Sequence, residues 1–374
     1  MTATSPKLER LLGFLERDPS NPALLTDAAS AAFDARDMNL AGSLIDRAVL
    51  QAPLSPPLLN LRALVAMEQE RFHDAADDLQ SLLDQGEDVP AVRFNLAWSL
   101  AKQDKFEEAD RFLDAEAMAV SARAPSLKIH ILHHLERYDE GLELGADLAD
   151  RHPQDEALMG ALATLAMDAD HDDLARTYAA RAGENPEGLA ARGMFALETE
   201  DLADAAAMFD RALDHQPGNP RAWVGKGLTL LFSSDPDGAA RALDRGAAIF
   251  GDHLGSWIAT AWAFFIAGKT AEARDRFERV VALDPTFSEG HGGLAVMDIM
   301  QGDLDAAKRN CEIAMRLDRS SMGGALASSL LLEAEGNPAA AERIRAVALN
   351  APIGPGGKTL AQMLASSASG MLKH

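Results

Sequence analysis

LGSWIATAWAFFIAGKTAEARDRFERVVALDPTF, residues 254–287, decides the fold. Trp257, Ala261 and Phe264 recur at steps of three and four residues, the spacing of one helical face. Gly268-Lys269 makes a turn. Ala273, Phe277 and Val280 then form a facing stripe on a second helix, which Asp284-Pro285 stops, because proline has no N–H to carry a helix onward. The segment reads as a helical hairpin.

Ala273 belongs to a series. Ala41, Ala75, Ala109, Gly141, Ala175, Ala205, Ala239, Ala273, Ala307 and Ala341 are separated by 34, 34, 32, 34, 30, 34, 34, 34 and 34 residues. A fixed period of this size marks a stacked repeat. Each small second-helix residue has a small first-helix counterpart: Ala29, Ala63, Ala97, Ala163, Gly193, Gly227, Ala261, Ala295 and Ser329. The fourth unit sets Ile129 against Gly141, a larger knob over a smaller hole that conserves volume. A hinge at Gly141 is the alternative, since interior glycine weakens a helix. Pro19, Pro53, Pro153, Pro217 and Pro285 share one phase, and Pro186 misses it by one. Pro236 and Pro338 follow Asp235 and Asn337, so they open second helices.

These residues resemble the tetratricopeptide repeat, whose pattern is W-x2-L-G-x2-Y…A-x3-F…P. Ala205, Phe209, Ala212 and Pro217 match its second half, as do Ala273, Phe277 and Pro285. Trp223 with Gly227, and Trp257 with Ala261 and Phe264, match the first. Leu294-Ala295, Gly302-Asp303-Leu304, Ala307, Ala314 and Leu317-Asp318 match a further copy. Ten units are expected, at 22–55, 56–89, 90–121, 122–155, 156–185, 186–219, 220–253, 254–287, 288–321 and 322–352. A capping helix would precede them in 1–21, with Leu11 and Phe14 in second-helix phase. A glycine-containing joint and capping segment would follow in 353–374, where Leu360, Met363 and Leu364 either cap the stack or tuck into its groove. The resemblance implies an all-α, right-handed superhelical solenoid.

The resemblance also implies that first helices line a concave wall where partners dock. By phase, that wall holds Phe94, Trp98, Met194, Leu197, Val224, Leu228, Leu231, Phe232, Ile258, Trp262, Phe265, Ile266, Val296, Ile299, Met300, Leu326 and Leu330. Early units mix in Ser30, Asp34, Asn60 and Glu68, so the wall turns from polar to apolar along the chain. Either neighbouring helices bury these side chains, or they form a groove that an amphipathic segment, a second copy or the chain's own tail would cover. Trp262 and Phe265 are the expected anchors. The family's clamp for a C-terminal carboxylate uses Lys and Asn, where this chain has Thr26, Ser30, Asn60, Phe94 and Trp98. An apolar ligand therefore fits better.

Composition narrows the function further. The chain has 374 residues, a formal net charge of −23 and no long basic run, which argues against nucleic acid as a partner. Its acidity serves solubility or steers a basic partner. Cys311 is the only cysteine, so no intrachain disulfide exists. Met1–Ser20 does not read as a signal peptide, the apolar stretch Trp257–Ala267 is too short to cross a bilayer, and a cytoplasmic setting is expected.

His130 and His134 share a helical face and are weak candidates for a divalent ion, with Asp168 as the further ligand. No Cys-x-x-Cys or His-Glu-x-x-His motif completes that site, so no metal and no cofactor are expected. Gly354–Thr359 lacks the first glycine and the preceding strand of a phosphate-binding loop. No nucleophile–base pair can be assembled, and Cys311 occupies a core place. The expectation is a non-enzymatic scaffold, adaptor or chaperone that binds an apolar or amphipathic segment. A self-associating structural subunit, a homodimer included, is the alternative.

Overall fold

The computed structural model describes residues 5–349, with the side chains of 347–349 excepted, and among them every regular element is a helix. The expected C-terminal joint and capping segment lie outside the described residues. The chain divides into two compact units, one ending at Tyr178 and the other beginning at Ala179. In unit 1, α1 (Pro6–Leu15) precedes the hairpins α2 (Pro22–Asp34) with α3 (Met38–Val49) and α4 (Pro56–Glu68) with α5 (Phe72–Asp84). Next come α6 (Pro90–Ala101) with α7 (Phe106–Phe112) and α8 (Ala115–Met118), α9 (Ala124–His134) with α10 (Tyr138–Arg151), and α11 (Glu156–Asp168). The boundary falls inside α12 (Asp172–Arg181). Unit 2 holds α13 (Pro186–Glu198) with α14 (Leu202–His215), α15 (Pro220–Phe232) with α16 (Pro236–Phe250), and α17 (Leu254–Ile266) with α18 (Thr270–Leu283). It continues with α19 (Ser288–Gln301) and α20 (Leu304–Leu317), then α21 (Met322–Ala334) and α22 (Pro338–Leu349).

One turn design closes every hairpin. The residue two positions before each second helix takes a left-handed conformation: Arg36, Glu70, Asp104, Glu136, Asp170, Glu200, Ser234, Gly268, Gly302 and Gly336. The next residue's N–H returns to a carbonyl five residues back, as in Asp37 to Ala32, Arg71 to Ala66 and Lys269 to Phe264, at 2.8–2.9 Å. This is a Schellman closure, which satisfies a carbonyl the first helix leaves open. Seven of the ten left-handed residues carry a side chain, at a steric cost of about 1–2 kcal/mol each. The residue that makes the return bond often caps the next helix: the Asp37, Asp201, Asp235 and Asp303 carboxylates accept N–H bonds at 2.9–3.1 Å.

Packing follows the small-residue series. Its nine alanines are fully buried, and so are the first-helix alanines opposite them. Phe209 lies against Gly193 of its own hairpin and Gly225 of the next, and Phe277 likewise lies on Gly293. A ring at this place thus needs a glycine on the following first helix. At Gly141 a methyl would meet the Leu165 methyls at 3.1 Å and Leu132 at 3.5 Å. The missing side chain makes room for the next hairpin's Leu165, while Ile129 is fully buried.

Two expectations change. In α1 the buried stripe is Leu8, Leu11 and Leu15, while Phe14 is 47% exposed. The second-helix set Ala41, Ile45 and Ala48 would correspond to 7, 11 and 14, so the first helix is rotated to present leucines. The shortened third unit is accommodated by breaking its second helix. After Phe112 the chain leaves helical geometry at Leu113, and Asp114 caps α8 through Ala117 N–H at 2.8 Å. Arg93 of α6 holds this break, reaching Asp114 at 3.3 Å and Glu116 at 2.7 Å.

Candidate partner-binding face

Unit 2 brings most of the expected wall residues together. Val224, Leu228, Ile258, Trp262, Phe265, Ile299, Leu326 and Leu330 are partly buried around one core cluster that includes Phe264, Phe277 and Met297. Met194 and Leu197 pack with Trp223 around the neighbouring cluster of Phe209. Leu231 and Phe232 are half-buried. Ile266 and Met300, at the ends of α17 and α19, are 56% and 59% exposed. These half-covered side chains have apolar surface still in water.

Val296 is the exception, with 0% exposure. It shares the phase of Leu228 and Trp262, but its helix differs. A side chain on Gly292 would strike the Gly323 carbonyl carbon at 2.6 Å and its Cα at 2.8 Å, so α19 and α21 touch backbone to backbone. That closeness covers Val296, which no ligand can reach. Phe94, at 9% exposure, is also buried. It lies in unit 1 with Trp98, whose ring stands between Lys102 Nζ at 5.6 Å and Arg123 Cζ at 5.8 Å.

The tryptophans divide by their N–H groups. Trp223 donates to Pro217 O at 2.9 Å and Trp257 to Gly251 O at 2.8 Å, each six residues upstream. His291, at the same phase one unit later, pairs with Pro285 O at 2.9 Å. These side chains staple a first helix to the loop before it, and Arg245 and Arg279 cover the two indoles at 4.6 and 4.7 Å. Trp262 has no such tie. Its ring stands edge-on to Phe265 at 5.8 Å and to Phe277 at 5.1 Å, which fixes its orientation. No acceptor among the described residues takes its N–H, and the residue is half-buried. The 34-residue period sets the stapling indoles Trp223 and Trp257 at one phase and Trp262 at another.

The histidine cluster is arranged differently from expectation. Asp168 pairs with His133 Nε2 at 2.7 Å, and His134 stacks flat on Phe106 at 4.2 Å. Among the described residues no group of three or more His, Cys, Asp or Glu is placed to hold a metal ion. Cys311 lies 3.1 Å from Ser328 Oγ. Burial pushes its thiol pKa up, against the pull of that hydroxyl, so it is a poor nucleophile. A polar cleft of about 660 Å³ between α3, α4 and α5 contains Arg62, but Asp78 already holds that guanidinium through two bonds, of 2.7 and 2.5 Å. No helix among the described residues is long and apolar enough to cross a membrane.

The sequence profile described as tetratricopeptide repeat matches residues 60–126 and 190–253. No curated protein matches the chain by sequence. Solved structures similar to it include the APC/C hetero-tetramer Cut9-Hcn1, with TM-score 0.54 and 13% identity over 91% of this chain and 78% of that one. The human IFIT1 dimer with m7Gppp-AAAA is also similar, with TM-score 0.52 and 12% identity over 93% of this chain and 96% of that one. At such identities the likeness is one of fold.

Proposed function

We propose that this chain, built of tetratricopeptide repeats, is a non-enzymatic interaction scaffold whose unit 2 receives an apolar or amphipathic segment of a partner protein on its first helices. The observation that carries this is Trp262. It is a large ring held edge-on by Phe265 and Phe277, its N–H without an acceptor among the described residues, with Ile266 and Met300 exposed on one row of helix ends. Rigid aromatic anchors beside apolar side chains are what binding hot spots are made of. An adaptor or chaperone role in the cytoplasm agrees with a lone buried cysteine whose pKa is raised. Nucleic acid, with which IFIT1 is solved, suits a net charge of −23 poorly.

A photo-reactive residue at position 266 tests the site, with one at the exposed Gln80 as control. Cross-links from 266 to an apolar segment of another protein, absent from position 80 and lost in Trp262→Ala/Phe265→Ala, support the assignment. Equal yield from both positions refutes it. Cross-links from 266 to a second copy of the chain favour the self-associating alternative.

A further inference from the structure

We infer that the hairpin-turn edge of unit 2 takes a basic amphipathic helix, and this rests on the docking role proposed above. Phe232, Ile266 and Met300 are the same residue of α15, α17 and α19, one repeat apart, at the end of each first helix. Leu304, where α20 begins beside Met300, is also exposed. These side chains make an apolar row along the edge where the turns lie.

Charge on that edge is mostly negative. The turns and following helix starts (234–240, 268–274 and 302–308) contain Asp235, Asp237, Glu272, Asp303 and Asp305, with Lys269, Arg274 and Lys308 as cations. All three cations are already paired: Lys269 with Asp237 of the preceding turn at 2.6 Å, Lys308 with Glu335 of the following turn at 2.8 Å, and Arg274 with Asp298. Asp235, Glu272 and Asp303 have no ion-pair partner among the described residues, while Asp305 lies in the field of Lys308. Asp235 and Asp303 accept backbone N–H bonds at 2.9 Å, which orients them without cancelling their charge. A ligand that covers the apolar row must bring its flanks against these carboxylates. Lysine or arginine there is attracted, and glutamate is repelled.

A helix suits such a row. Its apolar side chains recur at steps of three, four and seven residues along one face, so a single helix can lay a continuous apolar stripe across anchors set one repeat apart while its charged flanks meet the turns.

The test uses the full chain and three labelled peptides of about 18 residues. One has a leucine face and lysine flanks, one the same leucine face with glutamate flanks, and one lysine flanks with serine replacing leucine. Fluorescence anisotropy should give at least about tenfold tighter binding for leucine–lysine than for either other peptide, weakening between about 50 and 300 mM salt. Ile266→Ser/Met300→Ser, at exposed positions that leave the core intact, should abolish that preference. Asp235→Asn/Asp303→Asn should weaken leucine–lysine binding several-fold, because asparagine keeps each cap and removes its charge.

Equal binding of the lysine- and glutamate-flanked leucine peptides, both lost in the serine variant, would overturn the basic-ligand inference and leave the docking role standing. Equal binding of the serine–lysine peptide, untouched by the variant, would reduce the effect to unspecific charge attraction and overturn it too. Failure of both leucine peptides to bind also overturns it.

Discussion

Gly292→Ala should destabilise the end of unit 2, although alanine is the better helix former. The added methyl would stand 2.6 Å from the Gly323 carbonyl carbon and 2.8 Å from its Cα, with Gly324 N closer still. Non-bonded carbons settle at about 3.5–4.0 Å, so α19 and α21 must part by roughly an ångström. Every atom struck is backbone, and no side chain can turn aside. Overpacking of this kind costs about 1–3 kcal/mol, and the upper end applies here. Helix propensity returns about 1 kcal/mol, for a net loss of about 2 kcal/mol. Gly13→Ala is the matched control: it is also helical, with nothing within 4 Å of the new methyl, and should stabilise by up to about 1 kcal/mol. Stacked repeats open in pieces, so amide hydrogen exchange is the assay. Exchange in α21 and α22 should accelerate about thirtyfold in Gly292→Ala, and α1 should slow in Gly13→Ala. Unchanged or greater protection of α21 in Gly292→Ala would refute the backbone contact between the two helices.

The turns make a second pair of opposite signs. Glu136→Gly relieves a left-handed residue and should raise the thermal midpoint, while Gly302→Ala should lower it, each by about 1 kcal/mol of stability. Trp257→Phe discards an N–H bond to Gly251 O and should cost about 0.5–1.5 kcal/mol more than Trp262→Phe, whose indole N–H has no acceptor among the described residues, in denaturant titration. Burial alone would raise the Asp110 carboxyl, but hydrogen bonds from Lys128 and Arg137 hold it below its ordinary value of 3.8. The sign follows: this stabilisation is present above the ordinary carboxylate range and is lost as pH falls through the lowered value. Asp110→Asn should therefore flatten the acid limb of a stability–pH curve for unit 1.

The hairpin fold is legible in the sequence because close helix approach demands small residues, and Ala41 to Ala341 record that demand at nearly every repeat. The turn chemistry is hidden, since a left-handed residue costs little enough that Arg36, Glu70 and Glu136 stand where glycine would advertise it. On the candidate face, phase alone equates Val296 with Trp262. Burial of Val296 depends on Gly292 and Gly323 meeting across two helices, which a one-dimensional period does not record. That the carboxylate of Asp168 meets His133, while His134 stacks on Phe106, depends on a rotation about the helix that spacing between units leaves open. The acidic edge is readable as residues but not as a site, because the pairing of Lys269 with Asp237 and of Lys308 with Glu335 emerges only once the turns are stacked.

Fluorine NMR of the chain labelled with 5-fluorotryptophan tests the docking face most directly. Its four indoles report from Trp98, Trp223, Trp257 and Trp262, and Trp262→Phe assigns the last. Titration with the leucine–lysine peptide should move the Trp262 resonance and leave Trp98, Trp223 and Trp257 in place. A shift at Trp98 with Trp262 unmoved would contradict the account.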